Sequence, residues 1–241
     1  MSTWHAVLWG ALGASSLLVG QVLAGPLSGS PRAMGLLMGF GAGTLISAVG
    51  FELVPEASFE DVGLGVGLAL GAGALTYYVA DRTIDRLGGA DRQAIEGSPE
   101  EGSPWAMFLG ALLDGVPESF VLGSTLAVGG AIDAAFLAAV FVSNIPQALA
   151  PSADLMRSGW PIGRMVTLWG SVVIACGVAA ALGFLLASDL PDVVGARAAA
   201  IAAGGLLAML AASLVPFAYE KGGPWAALAT VVGFCASMSQ T

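Results

Sequence analysis

The run Leu113-Asp114-Gly115-Val116-Pro117-Glu118-Ser119 stands in the middle of an otherwise apolar stretch, residues 104–128. A second run, Val142-Ser143-Asn144-Ile145-Pro146-Gln147-Ala148, is equally central in residues 132–153 and aligns with the first at an offset of 29. Each stretch is long enough to cross a bilayer as a helix, which takes about 20 residues. Asp114 and Glu118 are spaced i, i+4 and share one helical face, as do Ser143 and Gln147. Two carboxylates halfway along a membrane helix are costly, each about 2.5–3.5 kcal/mol on insertion scales.

The rest of the chain supports the membrane reading. Of its 241 residues 56% are hydrophobic and 10% are charged, against roughly 25% charged in soluble domains. The mean hydropathy is +0.84. Apolar segments at 4–24, 32–54, 62–80, 104–128, 132–153, 165–187, 193–217 and 223–238 predict eight spans in a single all-α, polytopic membrane domain, residues 1–241. Turn residues separate them: Gly25-Pro26, Gly129-Gly130, Gly159-Trp160-Pro161, Leu190-Pro191-Asp192 and Gly222-Gly223-Pro224. The one long connection, residues 81–103, holds three Arg and six carboxylates and predicts a flexible loop. The first apolar segment has neither a basic start nor a small-residue cleavage pattern, so it reads as a span and not as a signal peptide.

Lys and Arg collect on the cytoplasmic side of short loops. Arg32, Arg82, Arg86, Arg92, Arg157, Arg164 and Lys221 fall in odd-numbered connections and only Arg197 in an even one, which predicts both termini outside the cytoplasm of a cell membrane. Trp105, Trp160, Trp225, Tyr77 and Tyr78 lie near the cytoplasmic ends of their spans, where interfacial aromatics anchor. A net charge of −9 excludes nucleic acid as a partner, and Glu56, Glu60, Asp61, Asp133, Asp189 and Asp192 make the outer face acidic.

Gly35, Gly39 and Gly43 in span 2, and Gly63, Gly67 and Gly71 in span 3, form two stripes on which helices are expected to approach closely. Span 2 also echoes span 7: Ala42-Gly43 with Leu53-Val54-Pro55 matches Ala203-Gly204 with Leu214-Val215-Pro216 at a constant offset of 161. The two spans run in opposite directions. The pattern predicts an inverted repeat, spans 1–3 against 6–8, around a central pair formed by spans 4 and 5.

No basic side chain is available to neutralise the central acids, because every Lys and Arg is in a loop or at a span end and the single His is His5. The acids are therefore either protonated or neutralised by a bound cation. Pro117 and Pro146 also free the carbonyls of Leu113 and Val142 from helical bonding. Asp114 and Glu118, with Ser143, Asn144 and Gln147, offer a set of oxygen donors suited to a divalent cation. A polar seam of neutral acids and amides is the alternative. An enzyme is not expected: Asp114 has no second intramembrane Asp at its depth, and no intramembrane His or Lys stands by to activate Ser143. Glu52 and Glu56, flanking Pro55, are open to two readings, a relay at the outer mouth or solvated helix-end acids. Cys176 and Cys235 sit in apolar runs without CxxC spacing and read as small packing residues.

Eight spans, the Gly41-Ala42-Gly43 stretch followed by Glu52-Leu53-Val54-Pro55-Glu56-Ala57, and the paired proline-centred motifs together resemble the ZIP (Zrt/Irt-like) metal transporter family across most of the chain. The resemblance implies a homodimeric, symmetrically repeated bundle that moves divalent metal toward the cytoplasm between spans 4 and 5. The family's His-Asn-x-Pro-Glu-Gly falls on Asp114, Gly115, Pro117, Glu118 and Ser119, and its second motif on Ser143, Asn144, Pro146 and Gln147. Where the family has a histidine this chain has Asp114. Gly115 replaces the ligand Asn, Gln147 the acid of span 5 and Ser213 the acid of span 7, and the long loop has no His. These departures favour one metal site over two. The family argues for zinc, whereas oxygen donors alone suit manganese, or ferrous iron second. The other reading is a metal sensor or non-transporting member with a degenerate site.

Overall fold

A computed structural model describes residues 2–27, 30–54, 64–86, 104–129, 134–189 and 192–238. The described residues form helices and contain no strand. In chain order these are α1 (Thr3–Ala14), α2 (Ser16–Leu27), α3 (Pro31–Ala48), α4 (Leu64–Ile84), α5 (Pro104–Gly129), α6 (Ala134–Arg157), α7 (Ile162–Asp189), α8 (Asp192–Met209), α9 (Val215–Gly222) and α10 (Pro224–Met238). All eight apolar segments fall on helices, with α1 and α2 sharing the first, and α8 and α9 the seventh. Among the described residues six stretches are long and apolar enough to cross a membrane, as a membrane protein requires. α5 is not one of the six. α10 is shorter, at 15 residues.

Two wide turns break the helical register. Val49–Leu53 continues α3 and Leu210–Leu214 joins α8 to α9, each as one turn of π-helix closed by a bond five residues back. Val54 N–H donates to the Val49 carbonyl and Val215 N–H to the Leu210 carbonyl. Each turn precedes a Val-Pro pair, and a proline cannot supply the next helical donor, so the ladder slips by one residue there. The two turns are 161 residues apart.

Glycine allows the helices to cross backbone on backbone. A β-carbon on Gly43 of α3 would collide with the carbonyl oxygen of Thr230 in α10, and one on Gly204 of α8 with that of Leu70 in α4. The first expected glycine stripe is therefore a contact face, with Gly35 and Gly39 also against Gly222 and Ala226. The second is not. Gly67 and Gly71 meet open space and Gly63 lies outside the described residues; α4 uses Gly73 instead, packed on Ile201 of α8. Glycine at i, i+4 fits an open surface as well as a contact face, so the spacing alone does not fix which face of α4 is packed.

The helices divide into two sets. α3 and α10, and α4 and α8, are the close pairs of one set, and α5 with α7, α1 with α7, and α2 with α6 are those of the other. Consequently α5 and α6, expected as close antiparallel neighbours, touch each other only over a short stretch; α5 packs mainly on α7, and α6 on α2 and α3. A short connection fixes direction but not how much surface is shared. Between α6 and α7 the chain turns at Gly159, whose φ of 76° is open to glycine, while Trp160 N–H caps the Leu155 carbonyl.

The expected loop at 81–103 begins later: residues 81–84 belong to α4, and 87–103 lie outside the described residues. Arg82 lies over the Tyr78 ring, 5.3 Å from its centre, and Tyr78 and Trp225 are exposed as interfacial anchors should be. Tyr77 is not an anchor.

Candidate metal site

α5 runs without interruption through Pro117, and α6 through Pro146 and Pro151. The lost backbone bonds are tolerated because both helices are packed on several sides. The i, i+4 spacing carries Asp114 and Glu118 inward on one face, 2% and 0% exposed. α6 likewise buries Ser143, Asn144 and Gln147. All five residues expected at the site are interior.

Their bonding differs. The Tyr77 hydroxyl of α4 donates to Asp114 Oδ1 at 3.1 Å. Both oxygens of Glu118 and the Oδ1 of Asn144 lack a hydrogen-bond donor, and the Nδ2 of Asn144 and the Nε2 of Gln147 lack an acceptor. A buried polar atom left unpaired costs about 1–3 kcal/mol, more when charged, so such a group calls for water or an ion. No Lys, Arg or His is buried among the described residues. Ser143 is committed elsewhere: its hydroxyl donates to the Val140 carbonyl at 3.0 Å, and its backbone lies against Gly41 of α3. It contributes at most a lone pair. Among the described residues no three His, Cys, Asp or Glu side chains are grouped closely enough to hold a metal unaided. A metal here must draw on amide and hydroxyl oxygens too.

Tyr77 and Cys176 touch residues of this region, and Gln21 and Ser47 are further buried polar side chains that sequence alone does not single out. Tyr77, 3% exposed, sits beside Asp114 and not at the interface. Its neighbour Tyr78 points the other way, a distinction that adjacent aromatics on one helix do not announce. Gln21 of α2 is buried with Oε1 unpaired, and adjacent Gly20 packs on Ile145 and Ala148, which sets Gln21 level with Asn144 and Gln147. Ser47 of α3 is buried with its hydroxyl unpaired. Cys176 of α7 has its sulfur against Gly115 of α5, 2.9 Å from where a β-carbon there would stand.

Glu52 lies on the π turn after α3, and its side chain and Glu56, on which the relay reading depends, lie outside the described residues. Ser213 is buried in the second π turn. Next to Pro117 and Tyr77, an apolar crevice of about 280 Å³ opens between α4, α5 and α8, lined also by Phe120, Ile201 and Ala202. Set against known protein families and curated protein sequences, the chain matches none.

Proposed function

We propose that this chain is a ZIP-like carrier, and not an enzyme, that moves a divalent metal cation across a cell membrane toward the cytoplasm. The ion passes a mid-membrane site between α5 and α6. Asp114 and Glu118 are the charged ligands, and Asn144, Gln147 and Ser143 complete the shell. One observation carries this reading: Glu118 is fully buried in a helix meant for the membrane, and neither of its oxygens has a partner. A passing cation satisfies it, whereas a static seam of hydrogen bonds would already have done so.

The architecture goes with the proposal. We read eight spans as an inverted repeat of α1–α4 and α7–α10 about the α5 and α6 pair, with both termini outside and two copies forming a homodimer. The two π turns at an offset of 161, and the matched glycine crossings of α3 on α10 and α8 on α4, support the repeat. The clustering of basic residues in odd-numbered connections supports the orientation.

Uptake of zinc, manganese and ferrous iron into proteoliposomes tests the proposal. Wild type is expected to take up at least one ion, and Asp114→Ala to abolish that flux. The lack of a ready-made three-ligand group favours a second reading, a sensor that binds metal without moving it. Metal binding with no flux in any ion would establish the sensor.

A further inference from the structure

The crevice of about 280 Å³ between α4, α5 and α8 has no polar side chain to offer a guest. Two hydroxyls stand in its walls, and both are engaged elsewhere. That of Thr76 donates to the Ala72 carbonyl of its own helix at 2.8 Å, and that of Tyr77 to Asp114 Oδ1 at 3.1 Å. The other lining side chains, Pro117, Phe120 and Ile201 among them, are apolar. An ordered water needs about two to four polar partners, so the crevice does not hold water.

Its depth and its mouth narrow the choice of occupant. Gly73 and Tyr77 lie near the middle of α4 and Pro117 near the middle of α5, which places the crevice far from either end of these helices. It opens outward, past Thr76 and Ile201, which are exposed, and beside Leu75, which is 62% exposed. α4 is also the least buried of the six stretches that can cross a membrane. In a bilayer such a mouth faces hydrocarbon, where only lipid chains are at hand. A helix with its side chains is about 10 Å across and does not fit between these three. A dry apolar cavity of about 150 Å³ accepts one benzene, so this one has room for on the order of ten chain carbons. Left empty, it would deprive the rings of Tyr77, Pro117 and Phe120 of contacts on that side.

We infer that the acyl chain of a bilayer phospholipid lies in this crevice as a bound, structural lipid, with the terminal half of the chain against Tyr77, Phe120 and Ile201. The inference uses the membrane reading of the helices and not the metal reading. The chain packs the outer side of Tyr77, whose hydroxyl holds Asp114 on the inner side, so a lipid contact stands one residue away from that acid.

The test uses the full-length protein in bilayers of phosphatidylcholine that carries a diazirine near the end of one chain. After illumination, labelling at Phe120 and Ile201 is expected to exceed that at Ile174 of α7 and Val231 of α10 at least tenfold. Those two controls are mid-helix and more exposed than Ile201, at 70% and 58% against 44%. Ala198→Trp puts a ring into the crevice from the wall that carries Ile201, and labelling at Phe120 is expected to fall to the level of the controls. Returning phosphatidylcholine to delipidated wild type is expected to raise the unfolding temperature by about 2–4 °C, a small packing gain for a chain of this length, and to leave Ala198→Trp unmoved. Equal labelling of crevice and control residues in wild type would overturn the inference, and this arm needs no substitution that could misfold. Enrichment that survives Ala198→Trp would overturn it too, as would an unfolding temperature indifferent to the lipid. Labelling at Phe120 and Ile201 below the controls would mean that a second copy of the chain covers this face instead.

Discussion

The two helix sets of this molecule are assembled alike and filled differently. Both rely on glycine at their crossings: Gly43 and Gly204 in one set, and Gly123 and Gly183 of α5 and α7 in the other, each lie against a facing carbonyl. Yet α3, α4, α8, α9 and α10 bury only hydroxyls beside their apolar core, Thr44, Ser47, Ser213, Ser237 and the phenol of Tyr77. Every buried acid and amide among the described residues, namely Gln21, Asp114, Glu118, Asn144 and Gln147, lies on α2, α5 or α6. In lipid, close backbone packing and interhelical hydrogen bonds both hold helices together. The acids and amides of the second set are, on the proposed reading, ligands. On that reading the first set is the frame and the second carries the site.

That contrast breaks most sharply at Glu118. Glu118→Gln keeps the shape and removes the charge, and metal uptake is expected to fall by at least about 100-fold, the upper range for lost outer partners of metal sites. Circular dichroism and thermal unfolding should stay close to wild type, because no hydrogen bond is lost. A variant with normal uptake would mean that Glu118 belongs to the frame after all.

The frame is probed at its crossings. Gly43→Val or Gly204→Val drives a side chain into a facing backbone, and overpacking of this kind costs about 1–3 kcal/mol or more. Both variants are expected to lose stability in detergent, read as a lower unfolding temperature, in proportion to one another if the crossings are equivalent. Gly67→Ala and Gly71→Ala face open space and are expected to be neutral or to gain up to about 1 kcal/mol from helix propensity. Equal damage at Gly67 and Gly43 would undo the assignment of the α4 contact face.

Tyr77 joins the two sets, since its α4 hydroxyl reaches Asp114 on α5. Tyr77→Phe removes a hydrogen bond to a carboxylate and leaves the ring. The expected change is about 0.5–1.5 kcal/mol, seen as an altered half-saturating metal concentration in uptake with little change in unfolding. A shift in unfolding alone would make Tyr77 structural. The smallest effect belongs to Trp169, whose Nε1 donates to Ser152 Oγ at 2.9 Å between α7 and α6. Bonds of this type average about 0.6 kcal/mol in membrane proteins. Ser152→Ala should lower stability by about that much and leave metal uptake unaltered.

The sequence was legible wherever a residue's meaning depends on its own helix. The apolar segments read from hydropathy fall on helices among the described residues, and Gly159 and Gly223 marked turns whose positive φ only glycine readily accepts. The i, i+4 spacing brought Asp114 and Glu118 to one buried face. The 161-residue echo of span 2 in span 7 contained both π turns, because each is tied to a Val-Pro pair that can be read directly.

What only the tertiary structure decided was which helix faces which. Tyr77 and Tyr78, adjacent in sequence, separate into a buried partner of Asp114 and an exposed anchor over Arg82. Gly73, and not Gly67 or Gly71, receives α8. Cys176, one small residue in an apolar run, arrives with its sulfur against Gly115 from a helix more than fifty positions away along the chain. The reason is physical: periodicity fixes the direction in which a side chain leaves its own helix axis. The rotation and pairing of several helices in lipid are set by backbone approach at a few crossings, and no pattern local to one segment encodes its partner.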